Sequence, residues 1–350
     1  MLTFLFFLSS GLFLGWSLGA NDASNIFGTA VGTKMLRFSV AATIAGIFIV
    51  LGSVISGQST ADTLNALGGI NALPAAFSVS LASALAVVLM LKSGISVSIS
   101  QAIVGGIVGW NVYTENPTDI ETLARICASW ILCPIISGCI AVSLYLMVKK
   151  LLHHSKLHIL WQDWIVRTGM ILTTALGGYA LGANNMANVV GVFVDSCKFH
   201  PIKLGNFYTL SSVQILFLLG GIAAFIGVFT YSQKAIKNVG KNLLAVSPIV
   251  AWIVILSQSL VLIMFSSEKL AELLTSLHLP TLPAVPVSST QAVIGAIVGI
   301  GLAKGGKGIK WRLVLKLMSG WVASPVIAFI LSYVTLSFME NVFRQPVLIP

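Results

Sequence analysis

The 350-residue sequence is 57% apolar and only 9% charged; a soluble domain of this size could not cover its core with so few polar side chains, so the chain is expected to live in lipid. Its net charge of +10 does not point to nucleic acid, because the basic residues sit in short clusters between apolar runs, where membrane topology accounts for them. The alternation of a membrane barrel is absent, and Cys127, Cys133, Cys139 and Cys197 follow no metal-ligand spacing and are read as small apolar residues.

The first apolar run, residues 2–18, lacks the basic start of a signal peptide and is expected to be retained. It runs into Gly19-Ala20-Asn21-Asp22-Ala23-Ser24-Asn25, where glycine, carboxamides, a hydroxyl and a carboxylate interrupt an apolar segment. Ionisable groups at membrane depth face a cavity or a partner, which makes Asp22 a functional candidate. Asn, Ser and Asp compete for backbone hydrogen bonds, which favours an unwound turn here. Freed carbonyls, Asn25 and the Asp22 carboxylate would then offer oxygen ligands to a small cation; hydrogen bonding between helices is the alternative role.

Further apolar stretches of membrane-spanning length follow, among them 38–57, 73–91, 247–265 and 313–338, for about ten segments in all. Ser96, Ser98 and Ser100 with Gln101 stand at the start of a short glycine-spaced apolar helix; Ser288, Ser289 and Thr290 with Gln291 do the same later in the chain. At a helix amino terminus, unpaired N–H groups and the positive dipole end attract an anion, and hydroxyls add donors that turn to suit a tetrahedral oxyanion. Ordinary capping accounts for one hydroxyl in each cluster. Gly105, Gly109, Gly295 and Gly299 are expected to permit close helix contact. Trp161 and Trp164 are expected at the membrane interface.

Three blocks recur in one order. GWSLGANDASN at 15–25 matches GYALGANNMAN at 178–188, VSISQAIVGGIVG at 97–109 matches VSSTQAVIGAIVG at 287–299, and SWILCP at 129–134 matches GWVASP at 320–325. The chain is therefore read as a duplication, with a first repeat over 1–148, a basic cytoplasmic linker over 149–158 and a second repeat over 159–340. With the amino terminus outside, the predicted inner loops hold Lys34, Arg37, Lys92, Lys149, Lys150, Lys156, Lys234, Lys237, Lys241, Lys304, Lys307, Lys310 and Arg312, and the outer ones carry most of the carboxylates. An odd number of passes per copy inverts the second, as in transporters whose site lies near the midplane between repeats. Where the first copy has Asp22 the second has Asn185, flanked by Asn184 and Asn188, so the halves are not electrostatically equivalent.

The GANDASN and GANNMAN blocks, with VSISQ and PVSSTQ, resemble the paired signatures of the PiT family of inorganic phosphate transporters, in matching order over nearly the whole chain. The resemblance implies an all-α membrane protein of two inverted-topology repeats with discontinuous helices and re-entrant hairpins. It implies a phosphate site at Ser98, Ser100, Gln101, Ser288, Ser289, Thr290, Gln291, Asn25 and Asn188, and a coupling-cation site, for sodium or a proton, at Asp22, Asn21, Asn185 and Asn184. It departs from the family pattern at Asn185, where aspartate is usual, at Gln101 and Gln291, where histidine is usual, and at Ser96, where proline is usual. The basic insertion at 232–243 resembles an amphipathic segment of the family's second copy and is read as a membrane-surface helix. The expected function is import of phosphate with a cation by alternating access, in the inner or plasma membrane, with no catalytic residues and no cofactor; a homodimer is possible. Sulfate permeases of the same fold and an uncoupled anion channel are the alternatives. An enzyme using Asp22 lacks a second group at depth to share proton transfer.

Overall fold

The structure, a computed structural model, describes residues 2–155, 158–196, 199–204, 208–233, 236, 247–278, 281–306 and 309–349. Its helices are α1 (Leu2–Gly32), α2 (Phe38–Ser56), α3 (Ala61–Gly68), α4 (Leu73–Lys92), α5 (Ile99–Tyr113), α6 (Ile120–Ser155), α7 (Ile159–Asn185), α8 (Ala187–Val190), α9 (Ser212–Thr230), α10 (Pro248–Met264), α11 (Glu268–Ser276), α12 (Ser289–Ala303) and α13 (Trp311–Asn341). One antiparallel pair, β1 (Ile202–Leu204) with β2 (Tyr208–Leu210), departs from the all-helical expectation. It lies in the loop before α9, where Ile202, Tyr208 and Thr209 are strand-favouring types.

Six stretches are long and apolar enough to cross a membrane: Thr3–Gly32, Phe38–Gly68, Leu73–Lys92, Ile120–Leu152, Ser212–Thr230 and Trp311–Asn341. The pair α10 and α11, bent by 74°, makes a seventh. Among the described residues this is fewer than the expected number. Helices α5 and α12 have 15 residues each, so each is about 22 Å long and too short for a hydrocarbon core of about 30 Å. After the exposed end of α4, Gly94 turns the chain with φ of 71°, and residues 96–98 are buried as they lead into α5. Residues 285–288 are buried in the same way on the approach to α12.

Helix α1 passes through Asn21–Asn25 without a break, which overturns the expected unwound turn. The motif's polar side chains find partners on other segments, described below, so its backbone keeps its own helical hydrogen bonds. Only in the second copy does the helix stop, with a turn at Met186 between α7 and α8. Helix α6 continues to Ser155, so most of the basic stretch 149–158 is helical. The insertion at 232–243 falls outside the described residues apart from Ser232, Gln233 and Ile236.

The helices pair both across and within the two halves. Helix α1 packs on α9 and α7 on α2; α5 packs on α13 and α12 on α6; α4 packs on α1 and α5, and α10 on α7 and α12. Each of these contacts has its counterpart with the halves exchanged. Glycine makes the closest ones possible: a Cβ on Gly105 would overlap the Pro325 carbonyl, and one on Gly295 the Pro134 carbonyl. The Arg167 Nη1 donates to the Met35 carbonyl at 2.9 Å, which fastens the basic α1–α2 turn to the early turns of α7. Trp161 and Trp164 are both exposed, with ring centroids 5.8 Å apart.

Filling either glycine contact forces backbone apart. Gly105→Leu or Gly295→Leu is expected to destabilise the fold by about 1–3 kcal/mol or more, read as a lower melting temperature in detergent. Gly32→Ala, with nothing within 4 Å of its Cβ, is expected to change stability by less than about 0.5 kcal/mol.

Candidate functional site

All thirteen residues singled out from the sequence, Asn21, Asp22, Asn25, Ser98, Ser100, Gln101, Asn184, Asn185, Asn188, Ser288, Ser289, Thr290 and Gln291, are buried. The structure draws them together through two kinds of contact. Within each half, one asparagine fastens the buried segment that leads into that half's short helix. Asn21 Nδ2 donates to the Val97 carbonyl at 2.9 Å and to Asp22 Oδ1 at 2.6 Å, and Asn21 Oδ1 accepts from the Ser96 hydroxyl at 3.0 Å. Asn184 does the same in the second half: its Nδ2 donates to the Val285 carbonyl at 3.2 Å and its Oδ1 accepts from the Val287 N–H at 2.8 Å.

Between halves, a second set of side chains reaches across. Asn25 Nδ2 lies 3.0 Å from both Ser289 Oγ and Thr290 Oγ1, and 3.5 Å from Asp22 Oδ1. Two amide protons thus face three acceptors. Ser100 Oγ donates to Asn185 Oδ1 at 3.4 Å, which also accepts from Asn188 Nδ2 at 3.1 Å. Because Asn21 and Asn25 are one turn apart on α1 and touch the two different tips, the amino termini of α5 and α12 converge on the same stretch of helix.

The tips carry matching chemistry. Ser98 Oγ accepts from the Gln101 N–H and Ser288 Oγ from the Gln291 N–H, each at 3.3 Å, so these two hydroxyls are caps. The first intrahelical bonds are made by the N–H groups of Ala102 and Ala292. The N–H groups of Ile99 and Ser100, and of Ser289 and Thr290, therefore stand ahead of the helical ladder and present two donors at each positive dipole end. Four buried polar atoms here have no partner among the described residues: the acceptors Gln101 Oε1, Gln291 Oε1 and Asn188 Oδ1, and the donor Asn185 Nδ2. Buried groups of this kind call for a polar ligand. Asp22 is the one carboxylate in the cluster, and no lysine, arginine or histidine is buried among the described residues.

Supporting residues not singled out as ligands in the sequence hold the tips from behind. Thr60 Oγ1 donates to the Asn184 carbonyl at 3.2 Å. On α6, Ser137 Oγ donates to the Ala292 carbonyl at 2.6 Å, and the Cys133 thiol points at the Ser288 carbonyl at 3.7 Å. Cys133 lies in the recurring block around Trp130 and Pro134, which was the one available signal; nothing in the sequence marks Thr60.

The phosphate transporter family model matches residues 18–166 and 269–348, and the second asparagine block lies between these stretches. A protein of Methanocaldococcus jannaschii named "Putative phosphate permease" is 27% identical over 323 residues, covering 92% of this chain and 93% of that protein. A Pyrococcus abyssi protein of the same name is 23% identical over 397 residues, covering 92% and 94%. Among solved structures, "The sodium-dependent phosphate transporter" has a TM-score of 0.78 over 98% of this chain and 100% of that chain, at 19% identity, a likeness of fold.

Truncating Asn184 would leave the Val285 carbonyl and Val287 N–H buried and unpaired, at about 1–3 kcal/mol for each. Asn184→Ala is therefore expected to lower thermal stability in detergent clearly more than Ser100→Ala, which removes one long hydrogen bond.

Proposed function

The chain belongs to the phosphate transporter family, whose members are transporters and not enzymes, and on that premise we propose that it carries inorganic phosphate across the membrane together with sodium, by alternating access. The observation that carries this reading is the burial of Asp22 beside two half-helix amino termini, with no cationic side chain buried among the described residues to balance it. An unpaired carboxylate at such depth is costly and takes up a positive ion. Once neutralised, it no longer repels an anion at the neighbouring helix ends. Each ion then favours binding of the other, the reciprocity that symport needs.

In this proposal the oxyanion rests on the tip N–H groups and on the Ser100, Ser289 and Thr290 hydroxyls, with Asn25 and Asn188 beside them. The cation is held by Asp22; Asn185, expected from the sequence as a cation ligand, has its oxygen taken by Ser100 and Asn188 and turns its free Nδ2 donor toward the oxyanion. Asn21 and Asn184, expected from the sequence as cation ligands, have both ends of their amides engaged with the tips and act here as positioning residues. The unpartnered Gln101 and Gln291 oxygens favour phosphate over sulfate: hydrogen phosphate has a proton to donate to an acceptor, and sulfate near neutral pH has none. Asp22 is the only carboxylate, and no histidine stands among the thirteen, which favours sodium over a proton. Alternating access is supported by the recurring blocks and by packing that exchanges between halves. Rocking would break the contacts between halves, Asn25 with Ser289 and Thr290 and Ser100 with Asn185, and keep the clamps within each half. The chain is placed in the plasma or inner membrane with its basic helix ends in the cytoplasm.

Uptake of labelled phosphate into proteoliposomes tests the proposal. With an inward sodium gradient, accumulation above equilibrium is expected, with little competition from excess sulfate. Asp22→Asn is expected to reduce accumulation to background while the protein still inserts. Equilibration without accumulation would identify a channel, and a proton gradient replacing sodium would reassign the ion. Normal concentrative uptake by Asp22→Asn would overturn the role of the carboxylate.

A further inference from the structure

A groove of 740 Å3 runs along the outer surface where α6 and α13 straddle the back of α12. Gly295 and Gly299 pack directly on Pro134 and Gly138 of α6, and the groove runs beside this close contact, toward α13. Its walls include Ile135, Val142, Val298, Leu302, Trp311 and Met318. The single hydroxyl in the lining, Ser143, donates to the carbonyl of Cys139 at 2.9 Å, so no wall hydroxyl calls for a polar occupant. The volume lies in the range of small-ligand sites, about 300–1,000 Å3, and the lining is apolar but for the indole Nε1 of Trp321, a buried donor with no partner among the described residues.

One end of the groove is different. Leu302 and Ala303 lead into Lys304, and Trp311 stands between Lys310 and Arg312. These three cations are exposed, and Lys304 Nζ sits 5.1 Å from the centroid of the Tyr145 ring on α6. The ion pairs among the described residues are Arg125 with Glu121 and Arg167 with Asp163, so Lys304, Lys310 and Arg312 pair with no carboxylate among the described residues. An apolar channel that opens on a cationic rim beside an exposed tryptophan matches a phospholipid with a negative headgroup.

We infer that this groove holds an acyl chain of an anionic phospholipid, whose phosphate lies on Lys304, Lys310 and Arg312. The chain would lie along α12 between α6 and α13, on the helix whose other end presents Ser289 and Thr290. A seated lipid therefore braces the second tip from behind.

Native mass spectrometry of the purified full chain, released from micelles containing phosphatidylglycerol or phosphatidylcholine, reads this without any transport assay, so the result is independent of the proposed substrate. Preferential retention of phosphatidylglycerol is expected. Each charge removed is expected to weaken it about fivefold, so the triple variant K304Q/K310Q/R312Q should abolish the preference. Ser143→Trp, which fills the groove from its rim, should abolish retention while the melting temperature is kept. Equal retention of the two lipids, unchanged in both variants, would overturn the inference. So would a dimer that cross-links through Cys139, exposed on this groove, and that Ser143→Trp dissociates with no loss of lipid, since a second copy would then be the occupant.

Discussion

Backbone polar groups buried in a membrane protein must be satisfied from within the protein, since lipid offers them no partner. This constraint governs the centre of the molecule, where α5 and α12 begin and their lead-in segments have no regular secondary structure. Asparagine meets it on both sides. Its amide has the donor and the acceptor needed to imitate a neighbouring peptide group, and Asn21 and Asn184 each use both to hold the segment entering a short helix. Ser98 and Ser288 close the first turns as caps. What remains unpaired are the leading N–H groups, which is the reason the two tips suit an anion.

The recurring blocks stand in matching packing arrangements but carry unequal charge. Asp22 stands where the second copy has Asn185, so the field at the centre is not symmetric. The proposed coupling follows from that one difference. A second carboxylate at 185 would repel the oxyanion more strongly or demand a second cation. Asn185 instead accepts hydrogen bonds from Ser100 and Asn188 and keeps a donor for a ligand.

Close packing transmits the arrangement outward. The tips hold their positions because α5 and α12 lie tight against α13 and α6, with glycine facing proline carbonyls in both halves. Beside the α12–α6 contact, the apolar groove runs along α12 toward α13. Support for the second tip thus extends, on the lipid inference, from the Asn184 clamp to the surrounding bilayer.

Membrane residence, the recurring blocks and the identity of the cluster were legible in the sequence, because they depend on composition, on repetition and on polar residues where hydrocarbon is the default. That one hydroxyl in each cluster caps its helix, and that the glycines make close contacts, were legible because local spacing decides them; that the caps are Ser98 and Ser288 came from the structure. The course of α1 was not. Local competition for hydrogen bonds argued for unwinding at Asn21–Asn25, and the helix survives because Val97, Ser96, Ser289 and Thr290 come from distant parts of the chain to satisfy those side chains. Nor could spacing divide the asparagines into Asn21 and Asn184, which hold their own half, and Asn25 and Asn185, which meet the other. That division depends on which face of each helix the opposite half covers, and only the tertiary packing decides it.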